Sequence, residues 1–229
     1  MNQELKLNRP AAGFSLLELL IAMTVTLVIL GIATTVLSSG FKIRTKQNSV
    51  SDATADVQRA LSIMSREIAN AGFRLSTNGV VPGDSDASHI RVRSNLNKFD
   101  TSASQASRNG VVDPGEDVKY FVNVAGNTDY LVRYDINGPA GNQKTVLANR
   151  LDSLRIHYFS QKVTYGTSGC DITGPSSSEV TPATASYVVV AVCVQLPAVG
   201  NPSSSGYQPA SNVLLVSDVA LRNSSLTTY

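Results

Sequence analysis

The chain has 229 residues, 42% of them hydrophobic and 16% charged, with 19 basic and 17 acidic side chains for a net charge of +2. That length suits one ordinary domain with an attached segment. The near-neutral balance excludes a mainly electrostatic grip on nucleic acid, and the low charge with abundant Ser, Thr, Asn and Gly suits an exported surface protein.

Residues 1–13 are short and polar, with Lys6 and Arg9 against Glu4, and end Pro10-Ala11-Ala12-Gly13. An apolar run of 24 residues, 14–37, follows, and its one charged residue is Glu18. At ~1.5 Å per residue the run makes roughly 36 Å of helix, enough to cross a hydrocarbon core of ~30 Å. A conventional secretory signal has a shorter apolar region with the cleavage site after it. Here the cleavage point precedes the run, so processing leaves the run on the mature chain. Cutting after Gly13 creates a new amine on Phe14, one turn from Glu18, and lowers the net charge to +1 by removing two basic residues and one acidic. A carboxylate in such a run is costly in lipid and marks a functional position that needs a partner.

Ser38-Ser39-Gly40 reads as a soft spot where the helix leaves the membrane. Helical patterning then resumes, with Val50, Val57, Leu61, Met64 and Ile68 on one face. Asp52, Asp56, Gln58, Arg59, Arg66 and Glu67 stand between them and are expected to face water or other subunits. Gly72 is the expected stop, giving one helix over 14–71. Strands are expected at 89–93, 118–124, 130–136, 145–148 and 154–159, read together as an antiparallel meander, then at 187–196 and 213–221. The almost continuously apolar 187–196 is expected at the centre, covered on both faces. Residues 95–116, 166–186 and 197–211 read as loops.

Cys170 and Cys193 make an even count. In an oxidising compartment a disulfide between them staples the second long loop to the central strand and closes a loop worth about 3 kcal/mol; two free thiols are the alternative. His89 and His157 have no spaced partners that resemble a zinc site and read as surface histidines. Asp84-Ser85-Asp86 with His89, and Asp113-Pro114-Gly115-Glu116-Asp117, are oxygen-rich enough to suggest calcium, but without EF-hand spacing they read as solvated turns. Arg91, Arg93, Lys98 and Arg108 form at most a weak basic face, with acidic residues among them. Thr24, Thr26 and Thr34 can pair across helices or with their own backbone. No catalytic constellation, metal site or cofactor motif is visible.

Gly13-Phe14-Ser15-Leu16-Leu17-Glu18 and the apolar span resemble the class III signal of type IV prepilins and type II secretion pseudopilins. The resemblance implies that a membrane peptidase cuts between Gly13 and Phe14 and N-methylates Phe14. It also implies that Glu18 meets the Phe14 amine of a neighbouring subunit in a helical filament. More narrowly, Met64-Ser65-Arg66-Glu67-Ile68-Ala69-Asn70-Ala71-Gly72-Phe73-Arg74 resembles the end of the first helix in PilW-type minor pilins and J-type minor pseudopilins. The stretches 146–156 and 219–223 resemble them more loosely. Major pilins often carry a helix-bending proline about 22 residues into the mature chain; Thr35 stands there, with no proline between Phe14 and Gly72.

The resemblance therefore implies an α+β, type IV pilin-like fold. Residues 1–13 are the leader, 14–72 the long helix (14–40 in membrane or filament core), and 73–229 a β-rich domain on a mainly antiparallel sheet. The implied role is a minor pilin that helps to initiate or cap assembly, not an enzyme. The alternatives are a minor pseudopilin of type II secretion, or a pilus-displayed adhesin or DNA-uptake subunit. Implied partners are the prepilin peptidase, other minor and major pilins through the helix, the inner-membrane assembly platform, and lipid before assembly. Implied localisation is the inner membrane with the domain in the periplasm, then the pilus surface.

Overall fold

A computed structural model describes residues 13–97, 113–126 and 128–223. It is organised on one helix, α1 (Leu16–Ala69), of 54 residues, about 81 Å long at ~1.5 Å per residue. Gly13, Phe14 and Ser15 precede it outside any regular element, Ser15 with extended backbone, and the Ser15 carbonyl accepts the Leu19 N–H at 3.1 Å. Glu18 lies in the first turn and Arg66 in the last, the placement the helix dipole favours. The helix runs unbroken through Gly31 and Gly40. Ser38-Ser39-Gly40 is therefore no break.

The helix ends slightly before the expected boundary because Asn70 is its cap, and the Ala71 N–H bonds the Ile68 carbonyl at 3.0 Å. Gly72 serves instead at a backbone crossing. It has φ +76, and a Cβ on it would lie 2.6 Å from the Thr77 carbonyl oxygen. Gly79 faces it with φ +79, and a Cβ there would stand 1.9 Å from the Gly72 nitrogen. Only glycine fits both conformation and space.

The first sheet is an antiparallel meander in chain order: β1 (His89–Arg93), β2 (Asp117–Ala125), β3 (Thr128–Asp135) and β4 (Lys144–Asn149). The expected meander had one more strand. β5 (Leu151–Phe159) leaves it, because Arg150 adopts φ 58 and turns the chain into a second sheet. A short hairpin, β6 (Gly166–Ser168) and β7 (Asp171–Thr173), forms within the stretch expected to be loop. The second sheet is completed by β8 (Tyr187–Leu196) and β9 (Ser211–Ala220), in the antiparallel order β5–β8–β9. The arrangement is α+β, with two antiparallel sheets and a hairpin where one sheet was expected.

The core explains these assignments. Val57, Leu61, Met64 and Ile68 of α1 are buried, joined by Ala53 and Ala60, and pack on β9, β4 and β8. Each large side chain so buried contributes about 1.5–3 kcal/mol. In β8 every residue but Gln195 is buried. Its Val188, Val190, Val192 and Val194 enter the core under α1, while Tyr187 and Val189 face a smaller cluster with Phe159, Val163 and Ile172. A strand with a core on each face has no solvent side, so it shows no alternation.

Candidate functional site: a bare apolar rod fastened to a domain

From Leu16 to Leu37 every residue of the first half of α1 is exposed among the described residues. Phe14 and Leu16 are 83% exposed and Ile29 60%. An 18-residue window here has a mean hydropathy of 2.5, long and apolar enough to cross a membrane. The rod is roughly 33 Å long at ~1.5 Å per residue, and Glu18 is its one charge, also exposed. Thr24 and Thr34 donate to the carbonyls of Ile21 and Gly31 at 2.9 Å, and Thr35 to Ile32 at 2.7 Å; Thr26 donates to Ala22. The threonine hydroxyls are thus satisfied within the helix, and the rod presents an apolar surface headed by Phe14 and Glu18. An exposed surface of this kind requires lipid or other apolar helices around it. Of the leader, residues 1–12 lie outside the described residues.

Where the rod ends, the loop 197–210 closes on α1, a contact that sequence patterning did not announce. The Lys46 ammonium is almost completely buried and donates to three carbonyls, Leu196 at 3.2 Å, Pro197 at 2.8 Å and Pro209 at 3.1 Å. Those are all three of its N–H bonds. One turn earlier, Lys42 donates to Ser204 Oγ at 3.0 Å and the Ser205 carbonyl at 2.9 Å, and Ser39 Oγ meets Ser205 Oγ at 2.9 Å. Gly206 passes so close that a Cβ would lie 2.7 Å from Ser39 Cα.

A second fastening lies near the top of the helix. Glu67, expected to face water or another subunit, turns inward instead. Its carboxylate accepts from Arg133 Nε at 3.1 Å and from the Tyr120 hydroxyl. Burial, then the adjacent carboxylate, pushes the Tyr120 hydroxyl pKa well up, so it stays protonated and donates. Helical spacing placed Glu67 beside the apolar stripe, but the stripe's edge is where long polar side chains reach inward.

The remaining candidates resolve into structural roles. Cys170, in the β6–β7 turn, is bonded to Cys193 of β8, which pins the hairpin to the central strand. Asp152 lies close to the bridge, but the bonded sulfurs offer no thiolate to a metal. His157 is not an ordinary surface histidine. Its Nε2 lies 2.7 Å from Asp171 and its Nδ1 2.8 Å from Glu179, with only 14% of the side chain exposed. Burial works against the charged ring, but hydrogen bonds to Glu179 and Asp171 and their negative charge together raise its pKa. The two carboxylates sit on opposite ring nitrogens, so this is a charge clamp rather than a shared metal site.

His89 stands beside Asp84 and Asp86. Asp84 in turn pairs with Lys119 and Arg91. Arg91 and Arg93 both bond Asp117, at 2.7 and 2.8 Å, so they form no basic face; Lys98 and Arg108 lie outside the described residues. Glu116 is buried, and its carboxylate accepts the Leu96 and Asn97 N–H groups at 2.8 and 3.2 Å. The second oxygen-rich stretch thus ties loops together instead of remaining a solvated turn.

Residues 8–34 match a family model described as "Prokaryotic N-terminal methylation motif". No curated protein and no solved structure matches the chain. The match spans the bare rod's head and the residues before it, including Gly13, Phe14 and Glu18. This match supports a class III prepilin signal at the head of the rod.

Proposed function

We propose that the protein is a minor pilin of a type IV pilus, incorporated through α1 and helping to initiate or cap assembly. The observation that carries this reading is the unpartnered apolar half of α1, headed by Phe14 and Glu18 at a prepilin signal. In this reading the peptidase cleaves between Gly13 and Phe14 and methylates Phe14. The Glu18 carboxylate then pairs with the Phe14 amine of a neighbouring subunit, where low dielectric makes a correctly placed pair strongly selective for register. A minor role is supported by an α1 free of proline. The PilW-like resemblance at the end of α1 points the same way. Lipid surrounds the rod before assembly, with the domain in the periplasm. Other minor and major pilins surround it afterwards, delivered through the inner-membrane assembly platform.

The test is mass spectrometry of the N-terminal peptide from sheared surface filaments and, separately, from membranes. An N-methylated peptide beginning at Phe14 in the filament fraction is the expected result. A peptide beginning at Met1 found only in membranes, with an active peptidase present, would overturn the reading. A mature peptide confined to the envelope, with secretion lost on deletion and pili intact, would transfer the protein to a secretion pseudopilus.

A further inference from the structure

Sheet edges are association hazards, and folded proteins blunt them with lysine, proline, bulges or covering chain. Among the described residues, three of the four outer edges of the two larger sheets are blunted. The β1 edge is covered by residues 79–81, through Arg93 N–H to Gly79 O at 2.7 Å, Val81 N–H to Arg91 O at 3.0 Å, and the Val80–Val92 bridge. The β5 edge is covered along its C-terminal half, by Ile156 N–H to Ala87 O and Val180 N–H to Tyr158 O, each 2.9 Å. β4 is only six residues, carries Lys144, and pairs through a bulge at Leu131/Val132.

β9 is different. It pairs with β8 over ten residues without a register break, and among the described residues no other backbone bonds its outer side. Its sequence, Ser211-Asn212-Val213-Leu214-Leu215-Val216-Ser217-Asp218-Val219-Ala220, has no lysine and no proline. The one charge, Asp218, is engaged by the Tyr187 hydroxyl. Beside this edge runs an open groove of about 460 Å³ between β9 and α1, bordered by Gln58, Ser62 and Leu215.

The direction of β9 selects the occupant. Pro209, just before it, lies at Lys46; Ser217 Oγ is 2.7 Å from Ser65 Oγ; Arg222, just after it, bonds the Ala69 carbonyl. β9 therefore ascends alongside α1 in the same sense. Two copies of β9 paired antiparallel would be related by a two-fold axis across the strands, which would point their two rods in opposite directions. Chains anchored in one membrane cannot do that. Copies paired in parallel would keep the rods aligned but use the weaker ladder. A different subunit whose own helix also ascends can offer a descending strand while its rod stays aligned with residues 16–37 of α1.

We propose that the free edge of β9 accepts an extended, descending strand from a different pilin-like subunit, forming a sheet that continues across the subunit boundary. The inference rests on the pilin reading above and adds to it where the domains join. A photo-crosslinking residue is placed at Leu214 in the full-length chain, in membranes of cells that express the other pilin-like subunits. Parallel sites are Ile29 on the rod and the exposed Val146 on β4. Leu214 packs in neither core cluster, so Leu214→Lys installs an edge blocker without emptying the core. The expected result is a Leu214 adduct with a different subunit bearing its own class III signal, joined at an extended segment of its domain, and none from Val146. With the crosslinker moved to Ser62, L214K lowers the yield about tenfold with an unchanged melting midpoint.

If Ile29 crosslinks to pilin-like subunits but Leu214 does not, the edge inference fails and the pilin reading stands. A Leu214 adduct only with a second copy of this chain, or only with a protein lacking the signal, also overturns it. If neither position reaches a pilin-like subunit, the pilin reading fails and takes the edge with it.

Discussion

Lys46 offers the sharpest test of how the rod is joined to the domain. The residue is 8% exposed and, among the described residues, no carboxylate pairs with it; three backbone carbonyls, from Leu196, Pro197 and Pro209, take its three protons. Lys46→Met keeps length and volume but removes all three bonds. A hydrogen bond to a charged donor contributes about 1.5–3 kcal/mol net. The sum is reduced by the relief of no longer burying an ammonium and by water reaching the carbonyls at the loop surface. A loss of about 2–4 kcal/mol results. For a domain of this size each kcal/mol moves the melting midpoint by about 2–4 °C, so the variant should melt roughly 4–16 °C lower in detergent. Limited proteolysis should cut first within 197–210. Because the partners are dipoles rather than an anion, raising salt should change the wild-type midpoint little. Lys46→Arg should not rescue, since a planar fork cannot replace an ammonium whose three protons diverge. An unchanged midpoint with the loop still protected would refute the clasp.

Four further outcomes are expected. His157 has a folded-state pKa raised above its unfolded value of ~6.5. Its stabilisation is therefore complete below that pH and is lost as pH rises through the raised folded value, so the midpoint should fall as pH climbs above ~6.5, and His157→Gln should flatten that slope. Gly79→Ala forces a Cβ to within 1.9 Å of the Gly72 nitrogen at φ +79 and should cost roughly 3 kcal/mol or more; Gly126→Ala, at φ +66 with open space around it, should cost about 1 kcal/mol, and equal losses would contradict the crossing. Reducing Cys170–Cys193 should lower stability by about 3 kcal/mol and open the β6–β7 hairpin to protease, measured by melts with and without reductant. Under the proposed function, Glu18→Ala should be processed normally yet enter filaments poorly; normal filament numbers would count against the pairing with Phe14.

Periodicity showed the elements whose burial is one-sided or complete. Val57, Leu61, Met64 and Ile68 are spaced for one helix face, and β8 lacks any polar alternation because it has a core on each side. What periodicity could not show was the choice of partner strand. Nothing local at 144–159 distinguishes a fifth meander strand from the first strand of a new sheet; the switch is one residue, Arg150, in a left-handed conformation that arginine seldom adopts. Polar fasteners were hidden for a related reason. Lys46 stands four residues before Val50 and Glu67 three after Met64, so the stripe's phase reaches both, but their partners lie 53 to 163 residues away; those of His157, on the polar phase of β5, lie 14 and 22 away. Charge in a sequence says where water would be tolerated, not whether water is there.

The rod and its one charge can be weighed against each other. Moving residues 16–37 from lipid into a bundle of similar helices exchanges apolar contacts for apolar contacts, so the hydrophobic effect supplies little net drive. The threonines add little, because their hydroxyls already bond their own helix. Glu18 is the residue whose energy changes most. A carboxylate near the middle of a lipid-embedded helix costs about 2.5–3.5 kcal/mol, less near its end. Opposite a neighbour's terminal amine the same carboxylate is paired. Under the proposed function, then, one side chain both makes the membrane an imperfect resting place and makes the filament the better one. The fastenings at Lys46 and Glu67 ensure that the domain travels with the rod when it moves.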